Sequence, residues 1–277
     1  MYIGIDLGGT SARAAAVDRN GRILRMLSEP CKAGGTQEEV LGQLCGLIQK
    51  IGTGDCEGIG FGVPSVVDTK EGVVYNVANI PSWKEVHLGE FMERKFSLPV
   101  RVDNDCNCFA LGVCAFGEAK GSESAVCVTL GTGLGSSLLI GGRLFPGHNT
   151  GAGEIGSIPY LGSDYEHYCS SPFFKGTGMS GWEAGRRARL GDPEALALWR
   201  EFGEHVGDLV KMILFAYDPE MIVFGGSISQ AYPVFNESMY KVLSTFPYPK
   251  TVERIRIVVS ELENAGILGA ATLTMDR

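Results

Sequence analysis

The 277-residue sequence predicts an α/β protein made of two related halves. Short apolar runs alternate with segments of helical periodicity, which is the pattern of strands layered with helices. A motif of strand, glycine turn, strand and hairpin begins near the N-terminus and recurs in the second half, where Leu130-Gly131 repeats Leu7-Gly8. Glycine accounts for 39 residues, about twice its usual share of roughly 7%, and it gathers at these turns. These observations indicate a duplicated α/β unit.

The first half begins with three strands joined by a glycine turn and a hairpin. A helix follows where apolar residues recur at helical spacing, and the later segments alternate between strand and helix. The predicted strands are 2–6, 12–17, 22–28, 58–63 and 100–102, and the predicted helices are 40–51, 88–96 and a segment from about 105 to 118. Asn104 or Asp105 is the predicted N-cap of the last helix.

The second half repeats the strand-turn-strand opening before its pattern changes. Residues 143–180 show little periodicity and many turn residues, so we expect a long functional loop there. The predicted strands are 125–130, 136–140, 221–224 and 256–260, and the predicted helices are 199–214 and 266–274.

Charge and hydropathy exclude several classes of protein. The 24 Lys and Arg against 32 Asp and Glu give a net charge of −8, so binding to nucleic acid or to a membrane surface is not expected. No apolar run approaches the roughly 18 residues of a membrane helix. A strand directly follows Met1, so we expect no signal or transit peptide. Irregularly spaced cysteines favour reduced thiols and a cytoplasmic location.

The first glycine turn has the composition of a phosphate-binding loop. Gly8, Gly9 and Thr10 follow a buried strand and offer backbone N–H groups and a hydroxyl to phosphate oxygens. Asp6 could hold Mg²⁺, most simply through water, since Mg²⁺ keeps much of its hydration shell. An ordinary hairpin turn remains the alternative.

Two further glycine turns lie in the second half. Gly131, Thr132 and Gly133 repeat the first turn, and two such hairpins facing each other across a cleft would clamp the β- and γ-phosphates of a nucleotide. Gly225 and Gly226 follow a buried strand, where a nucleoside could lie. A plain strand-to-helix turn is the alternative for this last pair.

Polar residues suited to a hydroxylated acceptor lie elsewhere in the chain. Asp105 could accept the proton of an attacking hydroxyl, although Asp103-Asn104-Asp105 could equally serve only to cap a helix. Asn104 and Glu154 offer the amide and carboxylate that sugar hydroxyls require. For Glu154 the alternative is a solvated loop residue.

These motifs together resemble the ROK family (repressors, open reading frames and sugar kinases) of the actin-like ATPase superfamily. The resemblance runs from Ile3 to Ala271. It rests on the Asp6 turn, Gly60-Phe-Gly-Val-Pro-Ser-Val-Val-Asp68, Asn79 with Trp83, Asn104-Asp105, Gly131-Thr-Gly-Leu-Gly, Glu154-Ile-Gly and Gly225-Gly226.

The resemblance implies two RNase H-like domains with ATP and a hexose in a central cleft. We divide the chain into an N-terminal domain of residues 1–106, on which a C-terminal helix of about 265–277 packs, and a second domain of 107–264. Asp105 would be the general base, and Asn104, Glu154 and Asn79 would bind the sugar. The turns at Asp6 and Gly131 would hold the phosphates, with Gly225-Gly226 near the adenosine.

The sequence departs from the family on the sugar side. Ser157 replaces the usual His of Glu-x-Gly-His, and Ser65 replaces a usual Gly. The family's zinc motif is missing, because only His167 and Cys169 could bind zinc and a structural site requires four ligands. No structural zinc is expected. The Glu that ends the usual motif has no evident counterpart, with only Lys175 or Gly176 near its place.

The hypothesis is an ATP- and Mg²⁺-dependent hexose kinase, glucokinase-like, acting at O6. A sugar-sensing ROK protein with weak catalysis is the alternative, and another actin-like ATPase is a third. Family repressors carry an N-terminal helix-turn-helix, and because this sequence opens on a strand we expect no DNA binding. The sequence leaves open which hexose is bound, how the altered sugar side affects activity, and whether the chain forms the homodimer common in the family.

Overall fold

The computed structural model describes residues 1–148 and 150–275. The chain divides into two units. Unit 1 contains Met1–Gly121, Pro146–Ala152 and the chain from Glu261 onward, and unit 2 contains Ser122–Phe145 and Gly153–Ser260. Each unit has its own sheet and its own helices.

The strands fall into two large sheets and two small ones. They are β1 (Tyr2–Leu7), β2 (Ser11–Val17), β3 (Ile23–Pro30), β4 (Gly58–Val63), β5 (Val66–Asp68), β6 (Val73–Tyr75), β7 (Glu85–His87), β8 (Val100–Asn104), β9 (Ser124–Leu130), β10 (Leu134–Ile140), β11 (Arg143–Leu144), β12 (Pro159–Tyr160), β13 (Ser163–Asp164), β14 (Met221–Gly225) and β15 (Arg256–Val259).

The α-helices range from one turn to seven. They are α1 (Gln37–Ile51), α2 (Leu88–Phe96), α3 (Asp105–Phe116), α4 (Tyr165–Cys169), α5 (Ser171–Lys175), α6 (Gly181–Arg189), α7 (Pro193–Tyr217), α8 (Tyr232–Leu243), α9 (Pro249–Arg254) and α10 (Ala265–Thr272). Within the described ranges, none is both long and apolar enough to cross a membrane.

The main sheet of unit 1 has the order β3-β2-β1-β4-β8. The first three strands are antiparallel neighbours, and β4 and β8 run parallel to β1. Ile3, Ile5 and Leu7 of β1 are fully buried. Helix α1 begins at a capping box in which Thr36 accepts from the N–H of Glu39 and the Glu39 carboxylate accepts from the N–H of Thr36.

The main sheet of unit 2 repeats this arrangement with the order β11-β10-β9-β14-β15. Strands β9, β10 and β11 are antiparallel neighbours, and β14 and β15 run parallel to β9. The same strand order and directions in both units agree with the predicted duplication. The predicted α/β class is confirmed.

The stretch predicted as a loop over 143–180 contains short regular elements. Hairpin β12–β13 leads into α4, whose first turn is capped by Asp164 accepting from the N–H of His167. Pro172 lies in the first turn of α5, where its missing N–H costs nothing. Both helices have five residues, too short to produce a visible periodicity, so the prediction of a loop was wrong here.

Helix α3 packs within unit 1 through glycines that allow close backbone contact. A Cβ on Gly269 of α10 would lie 1.6 Å from the Cys108 carbonyl oxygen of α3, and a Cβ on Gly112 would lie 2.1 Å from the Ala265 oxygen. Because α10 also covers β1 and β4, α3 joins unit 1, and the division falls after Gly121. The sequence-based division placed the boundary earlier, after residue 106.

We expect Gly269→Ala to destabilise the protein while Gly266→Ala does not. Both glycines lie in α10, but a Cβ on Gly266 would meet no atom within 4 Å. Overpacking at residue 269 should cost about 1–3 kcal/mol, whereas alanine at 266 should be neutral or stabilise the helix by up to about 1 kcal/mol. Chemical denaturation of both variants measures the difference, and equal stabilities would contradict the packing described.

Candidate functional site

The Asp6 turn connects β1 to β2 and is held by its own backbone. The N–H of Gly8 donates to the Ser11 oxygen at 2.8 Å. Asp6 and Arg13 are cross-strand partners and form an ion pair through Asp6 Oδ2 and Arg13 Nη2. A Cβ on Gly9 would lie 2.6 Å from Asn79 Cβ, so the Asn79 side chain lies directly against the turn.

This turn has the donors that a phosphate group needs. Among the described residues, the N–H groups of Gly9 and Thr10 have no hydrogen-bond acceptor. Two adjacent unpaired N–H groups in a tight turn form a concave anion-binding surface. The Asp6 carboxylate, which the sequence analysis predicted to hold Mg²⁺, forms its ion pair with Arg13 beside this turn.

Asn104 and Asp105 lie where β8 ends and α3 begins. Asn104 is the N-cap of the helix, and its Oδ1 accepts from the N–H groups of Cys106 and Asn107 at 2.8 and 3.3 Å. Its Nδ2 donates to the Ser65 carbonyl oxygen at 3.2 Å. The amide therefore performs the capping role, and one N–H of Nδ2 remains to donate to a ligand.

The parallel strands bring Asp105 close to Asp6. Gly62 of β4 pairs with Asp6 on one side and with Asp103 on the other. A Cβ on Gly62 would lie 3.6 Å from the Asp105 Cα atom. The two carboxylates therefore share one end of the unit 1 sheet.

The surroundings of Asp105 make its carboxyl group a weaker acid. Burial and, after it, the negative charge of Asp6 raise the pKa of Asp105 to about 6, against the opposing effect of the hydrogen bond from the Cys106 N–H. A base works best when its pKa lies near the working pH. The carboxylate of Asp105 is thus suited to accept a proton from a hydroxyl group.

In unit 2, the Gly131 turn connects β9 to β10. The N–H of Gly131 donates to the Gly133 oxygen at 3.0 Å, while the N–H and hydroxyl of Ser171 both donate to the Gly131 oxygen at 2.9 Å. Within the part of the chain that is described, the N–H groups of Thr132 and Gly133 lack acceptors. This turn thus offers the same kind of anion site as the Asp6 turn.

Gly225 and Gly226 lie beside that turn. Gly225 pairs with Thr129 at the end of the sheet. Gly226 has φ of +85°, and a Cβ there would lie 2.3 Å from the Leu130 oxygen. Only glycine combines this left-handed conformation with so close an approach. Unit 2 therefore brings its two predicted glycine turns together.

Glu166, which the sequence analysis did not single out, contacts the Gly131 turn. It lies in α4, its Oε2 accepts from the N–H of Leu134 at 3.0 Å, and a Cβ on Gly133 would lie 2.5 Å from the same oxygen. A carboxylate thus contacts the glycine turn. The sequence signal for helix α4 was an N-cap residue, Asp164, followed by Tyr165 and Glu166. The many turn residues around this segment obscured that signal.

Glu154 is exposed in a loop that packs against β10. Gly153 has φ of +98°, and its oxygen accepts from the Ser136 hydroxyl at 2.5 Å. A Cβ on Gly156 would lie 2.6 Å from the Leu134 oxygen. The backbone on both sides of Glu154 is therefore fixed, while the carboxylate itself is accessible to a ligand.

An aromatic cluster lies in the part of unit 2 where the family's zinc motif would stand. Tyr160 stacks on Tyr165 with ring centroids 4.4 Å apart, and its hydroxyl donates to Asp208 Oδ2 at 2.9 Å and lies 3.1 Å from His205 Nδ1. These contacts connect hairpin β12–β13 and α4 to α7. In residues 1–148 and 150–275, no group of three or more His, Cys, Asp or Glu is arranged to hold a metal.

Two sheets of the same order, each with a glycine turn after its first strand, define an α/β protein of the actin-like ATPase fold. A sequence model of the ROK family matches residues 2–175 and 161–277. The chain belongs to the ROK family, as its motifs predicted.

Relatives of known or assigned activity match nearly the whole chain. A glucokinase of Thermotoga maritima is 27% identical, over 99% of this chain and 97% of its own. An N-acetyl-D-glucosamine kinase of Photobacterium profundum is 28% identical, over 100% of both chains. The crystal structure of a ROK family glucokinase from Streptomyces griseus in complex with glucose and AMPPNP has a TM-score of 0.84 at 28% identity and covers 98% of both chains.

We expect Asp105→Asn to be more stable than the wild type at neutral pH. Because the pKa of Asp105 is raised to about 6 in the folded state, the wild type loses stability as the pH rises from the ordinary carboxyl pKa of about 3.9 through that value. The variant should therefore match the wild type below about pH 4 and have a higher Tm above about pH 6. Thermal unfolding across this range measures the effect, and a lower Tm at neutral pH would contradict the raised pKa.

Proposed function

We propose that this protein transfers the γ-phosphoryl group of ATP to a hydroxyl of a hexose or hexosamine. Family membership and kinase relatives across the full chain support this activity. The single observation that carries the mechanism is the buried carboxylate of Asp105 beside Asp6, with a pKa raised to about 6. O6 is the acceptor oxygen we favour.

Asp105 acts as the general base. The sugar oxygen attacks the γ-phosphorus, the bond to the β-phosphate oxygen breaks, ADP leaves, and the hydroxyl proton passes to the Asp105 carboxylate. Asn104 orients the acceptor through the free N–H of its Nδ2. Asn79 lies against the Asp6 turn, and Glu154 has an accessible carboxylate. Both side chains provide further hydrogen bonds to sugar hydroxyls.

The glycine turns hold the phosphates through backbone N–H groups. Each unit offers a turn of this kind by itself: the N–H groups of Gly9 and Thr10 in unit 1, and those of Thr132 and Gly133 in unit 2, have no acceptor among the described residues. Fixed donors of this kind stabilise charge on a transferring phosphoryl group without reorganising. Asp6 would hold Mg²⁺ through water, and the bound ion would neutralise phosphate charge. The nucleoside lies near Gly225 and Gly226, which are next to the Gly131 turn.

We expect Asp105→Asn to lower kcat on the best hexose by about 10²–10⁴, with little change in KM for the sugar. The amide keeps the size and the Oδ1 acceptor of the carboxylate but cannot take the proton. Asp55→Asn is the matched control, because it removes the same charge from an exposed residue of unit 1. ADP release measured by a coupled assay over a hexose panel gives both constants.

The pH dependence of the wild-type activity is a second test of the assigned base. Since the base must be ionised, kcat/KM should rise through about pH 6 and level off above it. A near-normal turnover of Asp105→Asn, or a flat profile between about pH 5 and about pH 7, would refute the assigned base. Sugar binding without ADP release from any hexose would favour the sugar-sensing alternative.

We expect Gly131→Ala to raise KM for ATP by about tenfold or more while KM for the sugar changes little. A Cβ at residue 131 meets no atom of the protein within 4 Å, so the methyl group is tolerated by the fold and occupies space proposed for phosphate. Gly176→Ala is the control, since it also adds a methyl group to open space in unit 2. An unchanged KM for ATP would remove this turn from the phosphate site.

A further inference from the structure

The two residues that the sequence offers for zinc do not form a site in the structure. His167 is exposed, whereas Cys169 is fully buried, and residues two apart in a helix do not face each other. Burial also raises the pKa of the Cys169 thiol well above its usual value, while zinc binds the thiolate form. Contacts of another kind must therefore fix the segment that zinc holds in the family.

The aromatic cluster, which comprises Tyr160, Tyr165, Tyr168 and His205, provides such contacts. Tyr160 stacks on Tyr165, and the Tyr168 ring packs edge-on against Tyr160 with centroids 5.4 Å apart. The Tyr168 and His205 rings lie 4.8 Å apart. Rings in these orientations attract each other beyond the effect of the area that they bury. Because the tyrosines belong to β12 and α4 and the histidine belongs to α7, the cluster joins two parts of unit 2.

The Tyr160 hydroxyl is the polar centre of this cluster. Burial and the hydrogen bond to Asp208 raise the pKa of Tyr160, so the hydroxyl keeps its proton and donates it to Asp208. Its oxygen then accepts from the Nδ1–H of His205. Burial lowers the pKa of His205, which keeps the imidazole neutral at neutral pH. One hydroxyl thus connects β12 to two side chains of α7.

Helices α4 and α5 in turn hold the Gly131 turn at both of its ends. Glu166 Oε2 accepts from the Leu134 N–H, and Ser171 donates twice to the Gly131 oxygen. The Ser170 hydroxyl donates to the Glu166 carbonyl oxygen at 2.6 Å, which joins the two helices. A displacement of α4 would therefore move both ends of the turn and the unpaired N–H groups that lie between them.

We propose that Tyr160 and Asp208 are positioning residues for the Gly131 turn, and that their hydrogen bond takes the structural role that zinc has in the family. The bond holds β12 on α7, the ring of Tyr160 holds α4 by stacking on Tyr165, and α4 holds the turn through Glu166. The proposal rests on the proposed kinase function for the ligand of the turn, which is the phosphate chain of ATP. The order of the turn itself can be measured without any nucleotide.

The first measurement is amide hydrogen exchange by NMR on the full-length protein without nucleotide. Tyr160→Phe keeps the stacked ring and removes the hydroxyl, so exchange of the Leu134 N–H should become about threefold faster or more. Exchange of the Gly8 N–H, which is hydrogen-bonded in the unit 1 turn, should stay the same. Tyr165→Phe is the matched control, since it removes a hydroxyl that makes no hydrogen bond among the described residues from the other ring of the stack.

The second measurement is the affinity for AMPPNP with Mg²⁺ by isothermal titration calorimetry. Tyr160→Phe and Asp208→Ala should each raise the Kd about two- to tenfold, as expected for the loss of one hydrogen bond. The double variant should lose no more than either single variant, because both substitutions remove the same bond. Asp208→Asn should recover most of the affinity, since the amide oxygen still accepts from Tyr160. In the coupled assay KM for ATP should rise by the same factor, with little change in kcat.

Three results would overturn the positioning role. One is unchanged exchange of the Leu134 N–H in Tyr160→Phe, and another is equal acceleration at the Leu134 and Gly8 N–H groups, which would show general destabilisation only. The third is faster exchange at Leu134 with a wild-type affinity for AMPPNP. A wild-type protein that binds no AMPPNP would refute the proposed kinase function instead, and hydrogen exchange alone would then decide whether the bond between Tyr160 and Asp208 fixes the turn.

Discussion

The close approach of α3 to β4 over Gly62 is the contact on which the candidate site depends. A Cβ at that residue would lie 3.1 Å from Cys108 Sγ and 3.6 Å from the Asp105 Cα atom. A side chain there would move the helix away from the sheet. Because Gly62 also pairs with Asp6 in β1, the absent side chain is what allows two carboxylates to lie at one end of the sheet.

That proximity has an energetic cost and a chemical benefit. Burial of the ionised Asp105 carboxyl group destabilises the folded state, and the nearby negative charge of Asp6 adds to the effect. The same forces make the Asp105 carboxylate a better proton acceptor. Helix α10 supports the arrangement from behind, since Gly4 and Gly60 bring β1 and β4 against the oxygens of Ile267 and Ala270. Tight backbone packing therefore stabilises unit 1, and the ionised Asp105 carboxylate near Asp6 offsets part of this stabilisation.

Sequence periodicity located the regular elements well where they are long or fully buried. Strand β4 and helix α2 have the predicted bounds, and the cap at Asn104 is as expected from its side chain. Helix α7 begins at Pro193, six residues before the first apolar position used to predict it, because Asp192 caps it and Pro193 starts its first turn ahead of that position. The five-residue helices α4 and α5 lie below the length at which periodicity is visible.

The candidate site likewise contains features that the sequence predicts and features that it does not. The roles that the family resemblance implied for Asp105 and Asp6 predicted that they lie close together, and the pairing of β4 with β1 and β8 brings them to one end of the sheet. The contact of Gly9 with Asn79, the contact of Glu166 with the Gly131 turn, and the hydrogen bond of Tyr160 to Asp208 depend on side chains that are distant in the sequence. Such contacts are set by loop packing, for which a single sequence carries no periodic signal.

The proposed recognition of phosphate by main-chain groups has a consequence for selectivity. The N–H groups of Gly9, Thr10, Thr132 and Gly133 are identical in chemistry whatever side chains surround them, and they can sense only the oxygens and the charge of a phosphate chain. They contain nothing that distinguishes adenine from guanine, or a nucleotide from a simple polyphosphate. Discrimination among phosphoryl donors must therefore come from side chains outside the turns, and the choice of donor can change during evolution while the turns stay the same.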